Sequence, residues 1–182
     1  MADSNVPKRP GTMAGDIKIW DANGDGEINS LDRIRQDLTD IPQIVYGVNL
    51  GITWKQFDLS LLFQGQAKVI NTIQETWVDP SSGGAGNLMQ WWTEDMWTPE
   101  NTDGTKPRLG TPNKINGTTF TNINAAFFKL KNAEIGYTLP VAVREKIGVA
   151  NARVYLSGTN LFSFDHMRGM GIDPEATGSG YG

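Results

Sequence analysis

From Ile44 to Gln64, large apolar side chains recur at every second residue, and no other feature constrains the fold as tightly. Tyr46, Val48, Leu50, Ile52 and Trp54 alternate with Val45, Gly47, Asn49, Gly51 and Thr53. After Lys55-Gln56 the pattern resumes, with Phe57, Leu59, Leu61 and Phe63 set against Asp58, Ser60, Leu62 and Gln64. A period of two over two adjoining segments predicts two antiparallel strands joined as a hairpin. With Lys55-Gln56 as the turn, Trp54 faces Phe57, Ile52 faces Leu59, Leu50 faces Leu61 and Val48 faces Phe63. One face is then wholly apolar and the other small or polar. The turn lacks the Gly or Asn that tight hairpins prefer.

Two further strands follow the same rule. Phe127 to Leu139 ends with Ala133, Ile135, Tyr137 and Leu139 alternating against Asn132, Glu134, Gly136 and Thr138. Arg153 to Phe164 sets Val154, Leu156, Gly158 and Phe162 against Arg153, Tyr155, Ser157 and Thr159. Pro140 to Asn151 reads as a short link with a helical turn around Val143 to Ile147. A soluble sandwich and a membrane barrel both give an apolar face. The lumen-like character of the opposite face and the aromatic bracket from Tyr46 to Trp54 lean toward a barrel, but the pattern alone leaves barrel and sandwich both open. Those two rings stand about 26 Å apart along a strand, or roughly 20 Å in height once the strand tilts as barrel strands do. The span from about Ala67 to Ala126 is rich in Gly, Asn, Thr and Pro, and connections of that length usually serve binding or gating. Short turns at one end and long loops at the other are the pattern of outer-membrane barrels.

Composition narrows the function classes. Sixteen basic against twenty acidic residues, a net charge of -4, argue against a nucleic-acid partner, since a row of phosphates would go unneutralised. The chain has no Cys, which excludes thiolate chemistry. Its one His, His166, excludes multi-His zinc sites and reads as a solvated loop residue. No apolar run approaches the roughly 18 residues of a spanning helix. Glu134 and Asp58 face the lumen side with no paired carboxylate nearby in sequence, so a glycosidase dyad has no support, and no enzyme is expected. Asn116-Gly117-Thr118 fits a glycosylation sequon but reads as a chance match.

The sharpest local motif is Asp21-Ala22-Asn23-Gly24-Asp25-Gly26-Glu27-Ile28-Asn29-Ser30-Leu31-Asp32. It places oxygen-bearing side chains (Asp21, Asn23, Asp25, Glu27, Asn29 and Asp32) at loop positions one, three, five, seven, nine and twelve. The seventh contributes its backbone carbonyl, and Gly sits at six for the sharp turn. That wrap of oxygens is what a hard cation such as Ca2+ requires. Asp32 replaces the usual Glu, and its shorter arm makes bidentate ligation harder. Downstream, Leu31, Ile34 and Leu38 predict one short helix after a Ser30 cap. The alternative is a metal-free turn of Asx and Gly residues.

Gly15-Asp16-Ile17-Lys18, the acidic loop and Ile41-Pro42-Gln43-Ile44-Val45-Tyr46-Gly47-Val48-Asn49-Leu50, in that order, resemble the C-terminal part of SusC/RagA-type TonB-linked outer-membrane proteins of Bacteroidetes. So do Phe57-Asp58-Leu59-Ser60, Phe63-Gln64-Gly65, Trp97-Thr98-Pro99-Glu100-Asn101, Pro107-Arg108-Leu109, Leu130-Lys131-Asn132, Gly136-Tyr137-Thr138-Leu139-Pro140 and Asn160-Leu161-Phe162. The resemblance implies an all-β fragment of a transmembrane antiparallel barrel. About four strands lie here, carrying long extracellular loops, and Met1 reads as an internal methionine. The family's plug, its TonB-contacting segment and its final aromatic-ended strand are expected elsewhere. The organisation so implied is an extracellular segment with the calcium-type loop over 1–43, a hairpin over 44–67 and a long extracellular region over 68–126. A second hairpin covers 127–164, and an extracellular loop covers 165–182.

The resemblance further implies import of oligosaccharides or peptides across the outer membrane, with a SusD-like lipoprotein as partner and TonB as the energy source. Trp77, Trp91, Trp92 and Trp97 fall in the long loop region, where aromatic faces could stack on ligand or lid, although such residues more often pack their own loop. The rival reading is a secreted, calcium-stabilised β-domain that binds carbohydrate or a protein partner, with a dockerin-like loop. It does not account for the lumen-like face, and the second such loop of a dockerin is missing.

Overall fold

A computed structural model describes residues 7–73, 88–110 and 118–175. Four long strands form one antiparallel sheet. In chain order the elements are β1 (Ile44–Trp54), β2 (Phe57–Ala67), a short β3 (Ile70–Thr72), one helical turn α1 (Gln90–Thr93), a short β4 (Asn122–Asn124), β5 (Phe127–Thr138), α2 (Val141–Lys146) and β6 (Arg153–Asp165). The large sheet runs β1-β2-β5-β6, with every neighbouring pair antiparallel. β3 and β4 pair separately and bring together the two ends of the long connection between β2 and β5. The chain is all-β in architecture, and no described helix is long and apolar enough to cross a membrane.

The first hairpin has the register that alternation predicts, with Trp54 opposite Phe57, Ile52 opposite Leu59, Leu50 opposite Leu61 and Val48 opposite Phe63. Its two-residue turn is made without Gly because Lys55 itself enters the left-handed region at φ 55°. The Lys55 ammonium then sits 4.8 Å from the centre of the Trp54 ring, a cation–π contact that offsets part of the backbone strain.

The second pair of strands departs from simple alternation. The β2–β5 register shifts between Leu62 and Phe63, leaving Lys131 as the extra residue of β5. β6 carries its own irregularity where Asn160 takes φ 51°. These bulges move the apolar phase of β5 from Ala133, Ile135 and Tyr137 to Phe128 and Leu130. Each bulge bends its strand and re-aims the side chains beyond it.

Most of the buried core lies outside the large sheet, which contributes only Phe127 and Leu130 of β5 among the described residues. One cluster joins Ile73 and Trp92 with Ile17, Leu88, Met89, Trp91, Ile123 and Ile172. A second joins Val69, Ala125 and Met167. The helix expected after Ser30 is absent among the described residues. A single turn of 3-10 helix spans Ser30–Asp32, capped by Asn29 rather than Ser30. Leu31 and Ile34 are 71% and 54% exposed, so no packing rewards an isolated short helix, which is marginal in water.

Candidate functional site

The four long strands present two chemically opposed faces. One carries Tyr46, Val48, Leu50, Ile52 and Trp54 of β1 and Phe57, Leu59, Leu61 and Phe63 of β2. It continues through Phe128, Leu130, Ala133, Ile135 and Tyr137 of β5 and Val154, Leu156, Phe162 and Phe164 of β6, as the pairing register requires. Most of it is uncovered, with Ile52 at 60%, Val154 at 66% and Leu156 at 75% exposure. Aromatic rings gather at its two ends. Near the turn end Phe57 and Tyr137 pack at 4.7 Å between ring centres, beside Trp54. At the loop end Phe63 stacks on Phe128 at 5.4 Å, with Tyr46, Phe162 and Phe164 in the same row. Aliphatic residues fill the band between.

The opposite face is mainly small or polar, with Val45, Leu62, Phe127 and Tyr155 as its larger apolar and aromatic members. Arg153 donates from Nε to Asp58 at 3.0 Å, from Nη2 to the second oxygen of Asp58, and from Nη2 to Glu134 at 2.7 Å. The sheet therefore joins Asp58 of β2 and Glu134 of β5, unpaired in sequence, through one guanidinium from β6. The three side chains form an ion-pair triad in which both carboxylates are held by the same cation. Tyr155 lies beside it, 5.3 Å from the guanidinium carbon.

Toward the loop end of that face, Lys129 is buried and its ammonium reaches Asp173 at 2.6 Å and Glu175 at 3.2 Å. Lys131, at the bulge, reaches Glu175 at 2.7 Å. Burial pushes both carboxyls up, but hydrogen bonds from the lysines outweigh it and leave Asp173 and Glu175 below their usual values. The pairs tie residues 173–175 back onto β5.

In the acidic loop, the structure brings the six motif residues into one exposed turn. Asp21 accepts N–H bonds from Gly24 at 2.7 Å and Gly26 at 2.8 Å. Asn23 accepts from Asp25 N–H at 3.0 Å, and Asp25 accepts from Glu27 N–H at 2.8 Å. Asp32 reaches back to Ala22 N–H at 2.9 Å and Asn29 N–H at 2.7 Å. The bond from Asn29 N–H, chief among several, lowers the Asp32 carboxyl below its ordinary value. Among the described residues, no three acidic, His or Cys side chains converge as a metal cluster.

Of the loop tryptophans, Trp92 is buried, edge-on to Trp91 at 5.5 Å and to Phe120 at 5.8 Å. Trp97 packs on Gly15, whose φ of 84° and missing side chain leave the ring its place. Trp77 and the Asn116-Gly117 part of the sequon lie outside the described residues. His166 follows the end of β6. Sequence reasoning missed the Arg153 triad, which depends on cross-strand register, and the lysine pairs, which depend on residues 173–175 folding back onto β5. The isolated charges on otherwise small-polar faces were the available signal.

No family model matches the chain. It is 33% identical over 183 residues to TonB-dependent receptor P3 of Formosa agariphila, covering 94% of this chain and 17% of that protein. To TonB-dependent receptor P26 of the same organism it is 32% identical over 174 residues, covering 93% and 17%. Among solved structures it is similar to the RagAB peptide transporter, with a TM-score of 0.63, 26% identity, and coverage of 82% of this chain and 16% of that one. The RagAB peptide importer in its open-open state gives a TM-score of 0.62 at the same identity and coverage. The chain thus spans about a sixth of the length of the proteins it matches. In sequence and in fold, the chain is similar to a stretch of SusC/RagA-like TonB-dependent receptors.

Proposed function

We propose that the β1-β2-β5-β6 sheet is part of the wall of an outer-membrane β-barrel, in a receptor that imports oligosaccharides or peptides with energy relayed by TonB. A SusD-like lipoprotein is its partner at the outer surface. The observation that carries this reading is the uncovered aliphatic band held between two rows of aromatic rings, with a polar, ion-paired face behind it. A sheet in water would cover such a face. In a bilayer the aliphatic side chains meet acyl tails, the aromatic rings sit at the two interfaces, and the polar face lines a wet lumen. Continuation of the sheet at its β1 and β6 edges satisfies the backbone groups exposed there.

The short links at Lys55-Gln56 and Leu139 to Ala152 then lie on the periplasmic side. The segment before β1, the long connection from β2 to β5 and the residues after β6 lie outside the cell. Deleting the gene that carries these residues tests the function. Growth on one class of oligosaccharide or peptide should be lost, with growth on monosaccharides and free amino acids unchanged. Unchanged growth on every oligosaccharide and peptide would contradict the importer reading.

The acidic loop is, in the same reading, a calcium site on the extracellular segment. The support is its chemistry: each carboxylate oxygen that accepts one backbone N–H keeps a second lone pair for a cation. Asp21, Asn23, Asp25, the Glu27 carbonyl, Asn29 and Asp32 would hold the ion, which would supply charge neutralisation and cross-link the loop. Calorimetry should show Ca2+ binding that Asp21→Asn abolishes. No heat at millimolar Ca2+ contradicts the assignment.

A further inference from the structure

The segment before β1 does not simply drape over the loops. Gly15 receives the Trp97 ring and its carbonyl accepts from Arg108 N–H at 2.9 Å. Asp16, its side chain only 3% exposed, pairs with Arg108 at 2.6 Å. These contacts fix residues 7–19 against the 97–102 stretch, and between the two lies a cavity of about 390 Å³. That is within the size range of small-ligand pockets, roughly 300–1,000 Å³.

The charge of its lining is the informative feature. Lys8, Arg9 and Lys18 all border the cavity, and none has a carboxylate partner among the described residues. The one acidic residue in the lining, Asp16, is already neutralised. One oxygen faces Arg108 and the other accepts from Met13 N–H at 2.8 Å. A chain of net charge -4 therefore places around one pocket three cations that have no carboxylate partner among the described residues. Cations clustered around a concave site raise the local concentration of anions. Trp97 adds an apolar, aromatic wall suited to a sugar ring or an aliphatic side chain.

We infer that this cavity is a binding site for a small ligand bearing a free carboxylate. The inference rests on the import reading for its choice of anion, because a carboxylate is the charge that peptides carry at the C-terminus and that acidic oligosaccharides carry on uronate rings. Arg9 offers the planar fork that pairs with a carboxylate through two N–H donors. Lys8 and Lys18 supply point charges, and Trp97 holds the body of the ligand.

The test is calorimetric titration of the full-length protein in detergent micelles with four probes: trialanine, trialanine amide, trigalacturonate and its neutral counterpart galactotriose. At least one carboxylate probe should bind about tenfold or more tighter than its neutral partner. Its affinity should fall as salt is raised from low to physiological ionic strength. Arg9→Gln combined with Lys18→Met should remove the preference while leaving β-sheet circular dichroism unchanged. The salt dependence of the unmodified protein decides the matter if that variant does not fold. Preference for trialanine identifies a peptide ligand, and preference for trigalacturonate an acidic glycan. Equal affinity for charged and neutral probes, or no binding of either acid at millimolar concentration, overturns the proposal. Failure of the growth test with charge-selective binding retained would fail the importer reading only.

Discussion

The ring of Tyr46 lies across Gly65, the residue directly opposite it in the β1–β2 pair. From there its hydroxyl donates to the Phe127 carbonyl, one strand further on, at 3.1 Å. Three strands are thus tied together at the loop end of the apolar face, where Tyr46 belongs to the aromatic row with Phe63 and Phe128. A Cβ on Gly65 would lie 2.5 Å from both the Tyr46 ring and the Phe127 carbonyl oxygen. Gly65→Ala should therefore destabilise the sheet by about 1–3 kcal/mol, as overpacking does. Tyr46→Phe, which loses only the hydrogen bond, should cost about 0.5–1.5 kcal/mol. Urea unfolding in detergent ranks the two, and a neutral Gly65→Ala would mean that Tyr46 sits elsewhere.

Arg153 holds two carboxylates that would otherwise repel one another across β2 and β5. Arg153→Gln should lower the thermal unfolding midpoint. Adding Asp58→Asn and Glu134→Gln to that variant should recover part of the loss, because the repulsion goes with the charges. The triad is partly exposed, so salt should narrow the difference. No recovery in the triple variant would show that the three side chains act independently.

Residues 173–175 are held to β5 by pairs whose lysine partner, Lys129, is buried. Replacing both acids (Asp173→Asn with Glu175→Gln) leaves that ammonium without an anion, a loss of roughly 1–3 kcal/mol. Most of it should come from Glu175, since the Asp173 side chain is 58% exposed and screened by water. Both acids titrate below their ordinary values of 3.8 and 4.5 in the folded chain. Their contribution is therefore complete above those values and is lost as pH falls through the lowered ones. Proteolysis after residue 165 should accelerate in the double variant at neutral pH.

The acidic loop should respond to acid in the same sense. Asp32 accepts from Ala22 and Asn29, and its carboxyl is held below 3.8. The turn should keep its order down to about that pH and loosen below it, as protonation removes the acceptor. Amide exchange at Ala22 and Asn29 reads this directly. Exchange that is flat through this range would mean the Asp32 bonds do not hold the turn.

Much of the sheet is legible in the sequence where packing repeats with a simple period. Val48 opposite Phe63 follows from alternation and a two-residue turn, with no knowledge of the rest of the chain. Lys131 and Asn160 are not legible in that way, because a bulge is chosen by the partner strand and leaves only a change of phase in its own. Leu31, Ile34 and Leu38 have helical spacing, but Leu31 and Ile34 stay exposed and only Leu38 is half-buried, and Asp32 turns its side chain back into the loop instead. The turn formed by the acidic loop is legible in its spacing of Asx and Gly residues. The Arg153 triad is not, since its members are distant in sequence and meet only through strand order. The cavity beside Trp97 depends on the Asp16–Arg108 pair, which has no local signature.

In a reconstituted receptor the aliphatic band should face lipid and the ion-paired face should not. The chain has no cysteine, so single Cys residues can be placed in it cleanly. Fluorophores on Leu50→Cys, Ile52→Cys and Leu156→Cys should be quenched by brominated acyl chains when the receptor is reconstituted in bilayers. Those on Asn49→Cys, Ser60→Cys and Ser157→Cys should instead be quenched by aqueous iodide. Equal lipid quenching of both sets, or water access to Leu50, Ile52 and Leu156, would contradict the account.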